Sequence, residues 1–302
     1  GMAAVGFEPG HAGPVHDAQF DYYGRRLATA GSDAVIKLFE VADGSHRGLA
    51  DLIGHQGPVW QVSWAHPKYG NLLASCSFDH RVIFWREGGQ GEWSESYRTP
   101  ATLHDASVNS VAFAPHELGL HVACASSDGS VSILSHNEAS GAWDAAKISR
   151  AHATGALAVS WAPAVPAGAM VSAGGASKAV REVVTCGCDN TAKVWELDEA
   201  AGEWKQKGSD LVGHQGWVRD VAWAPNLGFP RSTIATASED GSVRIYTQAE
   251  GGEWEGKELH QFGSPVWRVS WSVSGGMLAV TDGSNKVTLW KEAMDGQWTQ
   301  LS

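Results

Sequence analysis

No run of apolar residues in this chain approaches the ~20 needed to cross a bilayer as a helix, which excludes helical membrane insertion. Cysteine is scarce. Cys76, Cys124, Cys186 and Cys188 are the whole complement, too few for a disulfide framework and lacking paired metal-ligand spacing, and they read as core thiols. Positive charge is the minority sign: 22 Lys and Arg against 33 Asp and Glu leave a net charge of −11. Attraction to phosphate supplies most nucleic-acid affinity, so this balance disfavours DNA and RNA and points to protein partners. Residues 1–10 have neither a basic start nor a long apolar run, which predicts an intracellular chain; Gly1 ahead of Met2 reads as a remnant of expression. No basic amphipathic segment suits a membrane surface, so membrane contact is expected to be indirect. No phosphate-cradling Gly-rich loop opens a helical pattern, and no cofactor is expected.

What the chain has instead is a period. In one repeat His55 precedes Val59, Val62 and Trp64, then Leu73, Ala74 and Ser75, then Asp79, Val82 and Trp85; a later repeat copies it as His214, Val218, Val221, Trp223, Ile234, Ala235, Thr236, Asp240, Val243 and Tyr246. The same small apolar position recurs at Ala18, Val62, Val111, Val159, Val221 and Val269, at intervals of 44, 49, 48, 62 and 48 residues. Within each unit apolar residues alternate over short runs between Gly, Asp, Ser and Pro, the pattern of half-buried strands, so helices should be nearly absent.

Each unit has three such runs. A fourth follows the closing residues Trp85, Leu134, Trp195, Tyr246 and Trp290, marked by Trp93, Trp143, Trp204, Trp254 and Trp298. Four strands per unit and six units predict an all-β, six-bladed propeller over residues 11–302, with residues 1–10 as a separate N-terminal segment. The last Gly-x-Trp, Gly296-Gln297-Trp298, gives the final unit its own outer strand, so a ring of these units has no covalent latch. The one long interval contains a Pro-, Gly- and Ala-rich stretch over 164–182, expected as a surface loop.

Several constellations resemble chemistry. His55, Ser75 and Asp79 are the residue types of a hydrolase triad, but His104 with Asp128, His152 with Asp189 and His214 with Asp240 repeat the pairing. An enzyme seldom needs several copies of one nucleophile, whereas buried polar groups in every blade need partners, so these pairs are expected to be structural. His116 and His121 are spaced five apart where a zinc-protease helix needs four, and Gly119 between them favours a loop. Cys186 and Cys188 lack a second ligand pair. No catalytic or metal site is assigned. The residue after the first apolar position of each unit is His16, Trp60, Asn109, Leu157, Arg219 or Trp267. These should approach the channel mouth, where Trp and Arg suit peptide contact as well as they suit packing.

The segments HDAQFDYYG (16–24), GPVWQVSWAHP (57–67), WVRDVAWAP (217–225) and NKVTLWKE (285–292) resemble the small WD-repeat subunit of the COPII outer coat, shared with the Y-shaped scaffold of the nuclear pore. The resemblance runs from His11 onward. It implies an open six-bladed WD-repeat propeller, completed by a partner that donates a blade of three strands between the first and last blades. The implied partners are the large α-solenoid coat subunit in ER-to-Golgi transport, a homologous pore scaffold subunit, and a lysosome-associated nutrient-signalling complex. In each setting the role is architectural, cytoplasmic and peripheral, on ER-derived vesicles or at the nuclear pore.

The insertion seam is then expected to be flanked by Val15, Phe20, Leu38 and Phe39 of blade one and by Val266, Val269, Trp271, Leu289 and Trp290 of blade six. Two departures stand out: Phe262 and Ser284 occupy the His and Asp positions of blade six, weakening its turn, and residues 1–10 offer only Val5 and Phe7 as anchors for the N-terminal strand usual in the family. The competing reading is a closed propeller acting as a peptide-recognition adaptor, such as a ubiquitin-ligase substrate receptor.

Overall fold

The computed structural model of the chain describes residues 6–42, 44–165, 179–226, 230–293 and 296–301. It is a six-bladed all-β propeller, each blade a sheet of four sequence-consecutive antiparallel strands. Among the described residues, helix is confined to two single 3₁₀ turns, Pro67–Tyr69 and His116–Leu118. The near-zinc motif is therefore a turn followed by a strand: His121 begins Val122-bearing His121–Ser126 and donates to Leu118 O at 2.9 Å. Of the 164–182 stretch, residues 166–178 lie outside the described residues, as does Val5.

The innermost strands are Val15–Phe20, Val59–Trp64, Val108–Phe113, Ala156–Trp161, Val218–Trp223 and Val266–Trp271. Outer strands begin at or beside the predicted tryptophans, as in Trp93–Arg98, Trp143–Ile148 and Trp298–Gln300. Alternation along each strand gives every blade two apolar faces, and the core lies in the clefts between blades. In blade two, Val82 and Phe84 face forward and cluster with Val108, Val111 and Val122 of blade three. Ile83 and Trp85 face back and cluster with Ala28, Ala30, Ile36 and Leu38 of blade one. The thiols of Cys76, Cys124 and Cys186 are buried in these clefts, and burial pushes Cys124 up to about 12. They are core groups.

Among the described residues, no sheet mixes strands from the two chain ends. Residues 6–10 join no strand, and Phe7 instead packs edge-on to Phe39 at 5.1 Å and stacks on His46 at 4.0 Å. The described N-terminal residues thus cap the back face of blade one rather than clasping blade six.

Candidate partner-binding seam

The recurrent His and Asp residues build a buried relay in each blade that has them. In blade two, His55 Nδ1 faces Asp79 Oδ2 at 2.9 Å, His55 Nε2 faces Ser75 Oγ at 2.8 Å, and Trp85 Nε1 donates to Ser75 Oγ at 2.9 Å. A neutral imidazole protonated on Nδ1 satisfies every atom of this chain: it donates to the carboxylate and accepts from the hydroxyl. The Asp79 carboxylate also takes the Gln56 and Arg81 amides, tying the loop to the turn. Blade four repeats the set with Asp189, Thr185 and Trp195 around His152, and blade five with Asp240, Thr236 and Ser242 around His214. His104 bonds Asp128 and Ser132 at 3.2 and 2.8 Å.

Burial alone would raise the Asp79 carboxyl, but the hydrogen bond from His55 and the Gln56 and Arg81 amides outweigh that and bring it to about 2. Burial holds His104 and His214 below the usual histidine value. These serines and threonines are sealed inside blades, out of a substrate's reach, and the relay positions backbone.

Sequence reading missed a fifth relay. His11 Nδ1 lies 2.9 Å from Asp33 Oδ1 and His11 Nε2 lies 2.8 Å from Thr29 Oγ1. The signal was present: His11 precedes Val15 by the same spacing as His55 precedes Val59. Phe39 in place of a closing Trp hid it. Blade six is the exception, with the apolar Phe262 where the other blades place His, and Val280 where they place Ser, Thr or, in blade three, Cys124, whose part as hydroxyl partner is taken there by Ser132. Its turn is nevertheless anchored by an acid two residues early: Asp282 Oδ1 accepts from Ser284 N at 2.9 Å, Ser284 Oγ at 2.6 Å and Lys286 N at 3.4 Å. The expected loss of acidic anchoring at Ser284 is thereby corrected, since donor and acceptor have exchanged places.

Each inner strand carries a bulge one residue in. Register slips between Val15 and Asp17, Val59 and Gln61, Ala156 and Ala158, Val218 and Asp220, and Val266 and Arg268. A bulge leaves one residue unpaired and re-aims it. Those residues are His16, Trp60, Leu157, Arg219 and Trp267, and with Asn109 they line one cavity of 440 Å³ at the channel mouth. Much of this rim is self-satisfied: His16 meets Trp60 edge-on at 4.6 Å, Trp60 Nε1 donates to Ser107 Oγ, and the Arg219 guanidinium lies over both Trp217 and Trp267 while pairing with Glu239.

The two chain ends present a different surface. Val82 and Phe84 of blade two are 0% exposed against blade three, whereas Val287 and Leu289, at the same register positions in blade six, are 63% and 36% exposed. Met277, matching the buried Leu72, is exposed too, and Leu301 continues beside them with its amide bonded to Leu289 O at 2.7 Å. On the opposite wall, Val15 and Phe20 of blade one are 43% and 54% exposed. The counterparts of Val15, namely Val59, Val108, Ala156, Val218 and Val266, are fully buried. Apolar side chains of this size are worth about 1.5–3 kcal/mol each when buried, and the free chain leaves that gain unrealised on both walls.

Of the nine residues expected at the seam, Val15, Phe20 and Leu289 are exposed on these walls, and Phe39 is on the same face of blade one but buried beneath Phe7. The other five are corrected. Leu38 points forward into the blade-two cluster; Val266, Val269 and Trp290 are buried against Ala235, Ala237 and Ile245 of blade five, and Trp271 Nε1 donates to Ala222 O at 3.0 Å. Alternation separates two faces of a strand but does not say which looks outward, and that sign was taken wrongly at these positions. Val287 and Met277 are the wall residues that went unnoticed.

Comparison with known proteins follows the same geometry. A model of the WD domain, G-beta repeat, matches residues 4–40, 47–86, 98–134 and 204–247. The "Protein SEC13 homolog" of Drosophila melanogaster is 49% identical across 97% of this chain and 81% of its own length. The "Protein transport protein SEC13" of Mycosarcoma maydis is 44% identical across 98% and 93%, and that of Coccidioides immitis 47% across 99% and 98%. The chain belongs to the Sec13 family. The WD matches leave residues 135–203 and 248–302 uncovered, which hold most of blade four and all of blade six; the first contains the 164–182 stretch, and the second has Phe262 and Ser284 where the other blades have His and Asp. Both nonetheless fold as four-stranded blades, because inter-blade apolar packing and not the relay defines the unit.

Proposed function

We propose that this chain is a non-catalytic structural subunit of the COPII outer coat in ER-to-Golgi transport, and of the nuclear pore scaffold, that accepts a blade from an α-solenoid partner. The observation that carries this reading is the pair of exposed apolar walls, Val287 and Leu289 of blade six and Val15 and Phe20 of blade one; the internal junctions bury the positions of Val287, Leu289 and Val15. The names of the relatives, protein transport proteins, support the same assignment.

Strand addition suits such a site physically. Main-chain hydrogen bonds to a free sheet edge give affinity while side chains entering the cleft on both walls give register and specificity. A blade inserted between two walls buries more than roughly 2,000 Å², the size of an obligate interface. The partner is the large coat subunit or its homologous pore scaffold subunit, with a lysosomal nutrient-signalling complex as a further setting. Localisation is then cytoplasmic and peripheral, on ER-derived vesicles and at the pore, with membrane contact through the partner; among the described residues no helix is long and apolar enough to cross a membrane.

Affinity purification of the tagged chain from native extract tests the assignment. Recovery of a large α-solenoid coat or pore subunit at one-to-one stoichiometry supports it. Recovery of a ubiquitin-ligase scaffold alone would overturn it in favour of a recognition adaptor reading peptides at the channel mouth.

A further inference from the structure

The residue following each bulge points along the channel wall toward the next blade, and in four blades it is an acceptor. Asp17 Oδ2 accepts from Val62 N at 3.0 Å, Gln61 Oε1 from Val111 N at 2.8 Å, Ser110 Oγ from Val159 N at 3.2 Å, and Asp220 Oδ2 from Val269 N at 3.0 Å. Each bond ties one blade to the marker amide of its successor. Blade four has Ala158 here and makes no such tie. Blade six has Arg268, which carries only donors and so cannot copy the others. Its Nη2 instead donates to His16 O of blade one, 252 residues away in sequence, at 3.4 Å.

Arg268 also sits within the electrostatic reach of two carboxylates, Asp220 on blade five and Asp17 on blade one, and its positive charge draws down both carboxyls against the effect of burial. The cavity these residues share at the channel axis, 550 Å³ in volume, is bounded by Val15, Asp17, Asp220 and Arg268.

We propose that Arg268 is a clasp between the two ends of the open ring, joining blade six to blade one at the channel axis through the His16 carbonyl and the Asp17 carboxylate. The ends then meet at the axis and part toward the periphery, where Val287, Leu289 and Phe20 are exposed, so the vacancy is a wedge of set width. A planar guanidinium with several donors suits this task, since it bonds a carbonyl while neutralising carboxylates on either side. Removing it leaves both acids uncompensated. The proposal concerns the free chain and does not depend on what fills the wedge, so it and the partner assignment can fail separately.

Pulsed electron resonance between spin labels at the exposed Ile53 of blade one and Lys286 of blade six, introduced as unnatural amino acids in the full chain, reads the width. In the parent the distance distribution should be narrow. Arg268→Met should broaden it and move it to longer distance, with Arg268→Lys between the two. Asp17→Asn, which keeps an acceptor for the Val62 amide but loses the charge, should broaden it as well, and this variant decides the matter if Arg268→Met does not fold. A distribution in the folded variants that coincides with the parent's would overturn the clasp.

Discussion

Phe20 and Trp64 occupy the same position on the inner strands of neighbouring blades, and only one of them has a neighbour behind it. Trp64 Nε1 donates to Gln19 O of blade one at 3.0 Å, as Trp161 does to Ala112 O and Trp271 to Ala222 O. Phe20 has no blade at its back, carries no donor, and is exposed. An indole there would leave its N–H without a partner in the free ring, so a phenyl ring suits a surface that waits for apolar contact.

That difference predicts an asymmetry between matched substitutions. Val82→Glu buries a charge between blades two and three and should cost more than about 3 kcal/mol, enough to abolish a cooperative melt. Val287→Glu at the same register position should move the free chain by no more than about 0.5 kcal/mol. Thermal melts of the two variants check this. Equal destabilisation would mean that the forward face of blade six is already covered.

The buried relays predict a graded response. His104→Ala removes a filled polar site and leaves Asp128 and Ser132 without their partner, for a cost of about 2–4 kcal/mol. Replacing both His152 with Phe and Thr185 with Val, which imitates Phe262 and Val280 of blade six, should cost less than the sum of the two single changes. A double-mutant cycle by denaturant titration measures the coupling, and strict additivity would show that the relay is not a unit.

Stability should fall on acidification, with a counter-current from the channel. His104 and His214 are held below their ordinary value by burial, so their contribution is complete above about pH 6.5 and is lost as pH drops and the unfolded chain takes up protons. Asp79 and Asp240, at about 2 in the fold, extend that loss below about pH 4. Burial pushes Asp220 the opposite way, to about 6, so its penalty is present at neutral pH and disappears as pH falls through 6 toward 4. The stability difference between Asp220→Asn and the parent should therefore shrink from pH 7 to pH 4, as read from unfolding curves at each pH. A difference that grows over that range would contradict this assignment of signs.

The relocated acid of blade six gives a local prediction. Asp282→Ala removes the acceptor for three donors in one turn and should cost about 1–2 kcal/mol. Hydrogen exchange should rise first in Met277–Asp282 and Val287–Glu292 of this end blade. Uniform acceleration around the ring would show that blade six does not open by itself.

Most of the architecture was legible because the propeller is written in alternation and period, which survive at single-residue resolution. Trp93, Trp143 and Trp298 marked outer strands, and His55 with Asp79 was recognisable as a structural pair because it recurred. What was hidden depends on direction and on local irregularity. The bulges that aim Trp60 and Arg219 into the mouth leave no residue-type signature, and the forward or backward sense of Leu38, Trp271 and Trp290 follows from sheet packing that periodicity does not encode. The His11 relay was legible in spacing yet masked by Phe39, and Asp282 was overlooked because an acceptor two residues out of register does the same work.

The most direct test of the account is a photo-crosslinking amino acid placed at Val287, and separately at Phe20, in the complex purified from cells with its α-solenoid partner. Both positions should crosslink to the partner, since its strands lie between the two walls. Crosslinks formed within this chain, joining the Val287 region to the Phe20 region inside the assembled complex, would show that the ring closes on itself and that no blade is accepted there.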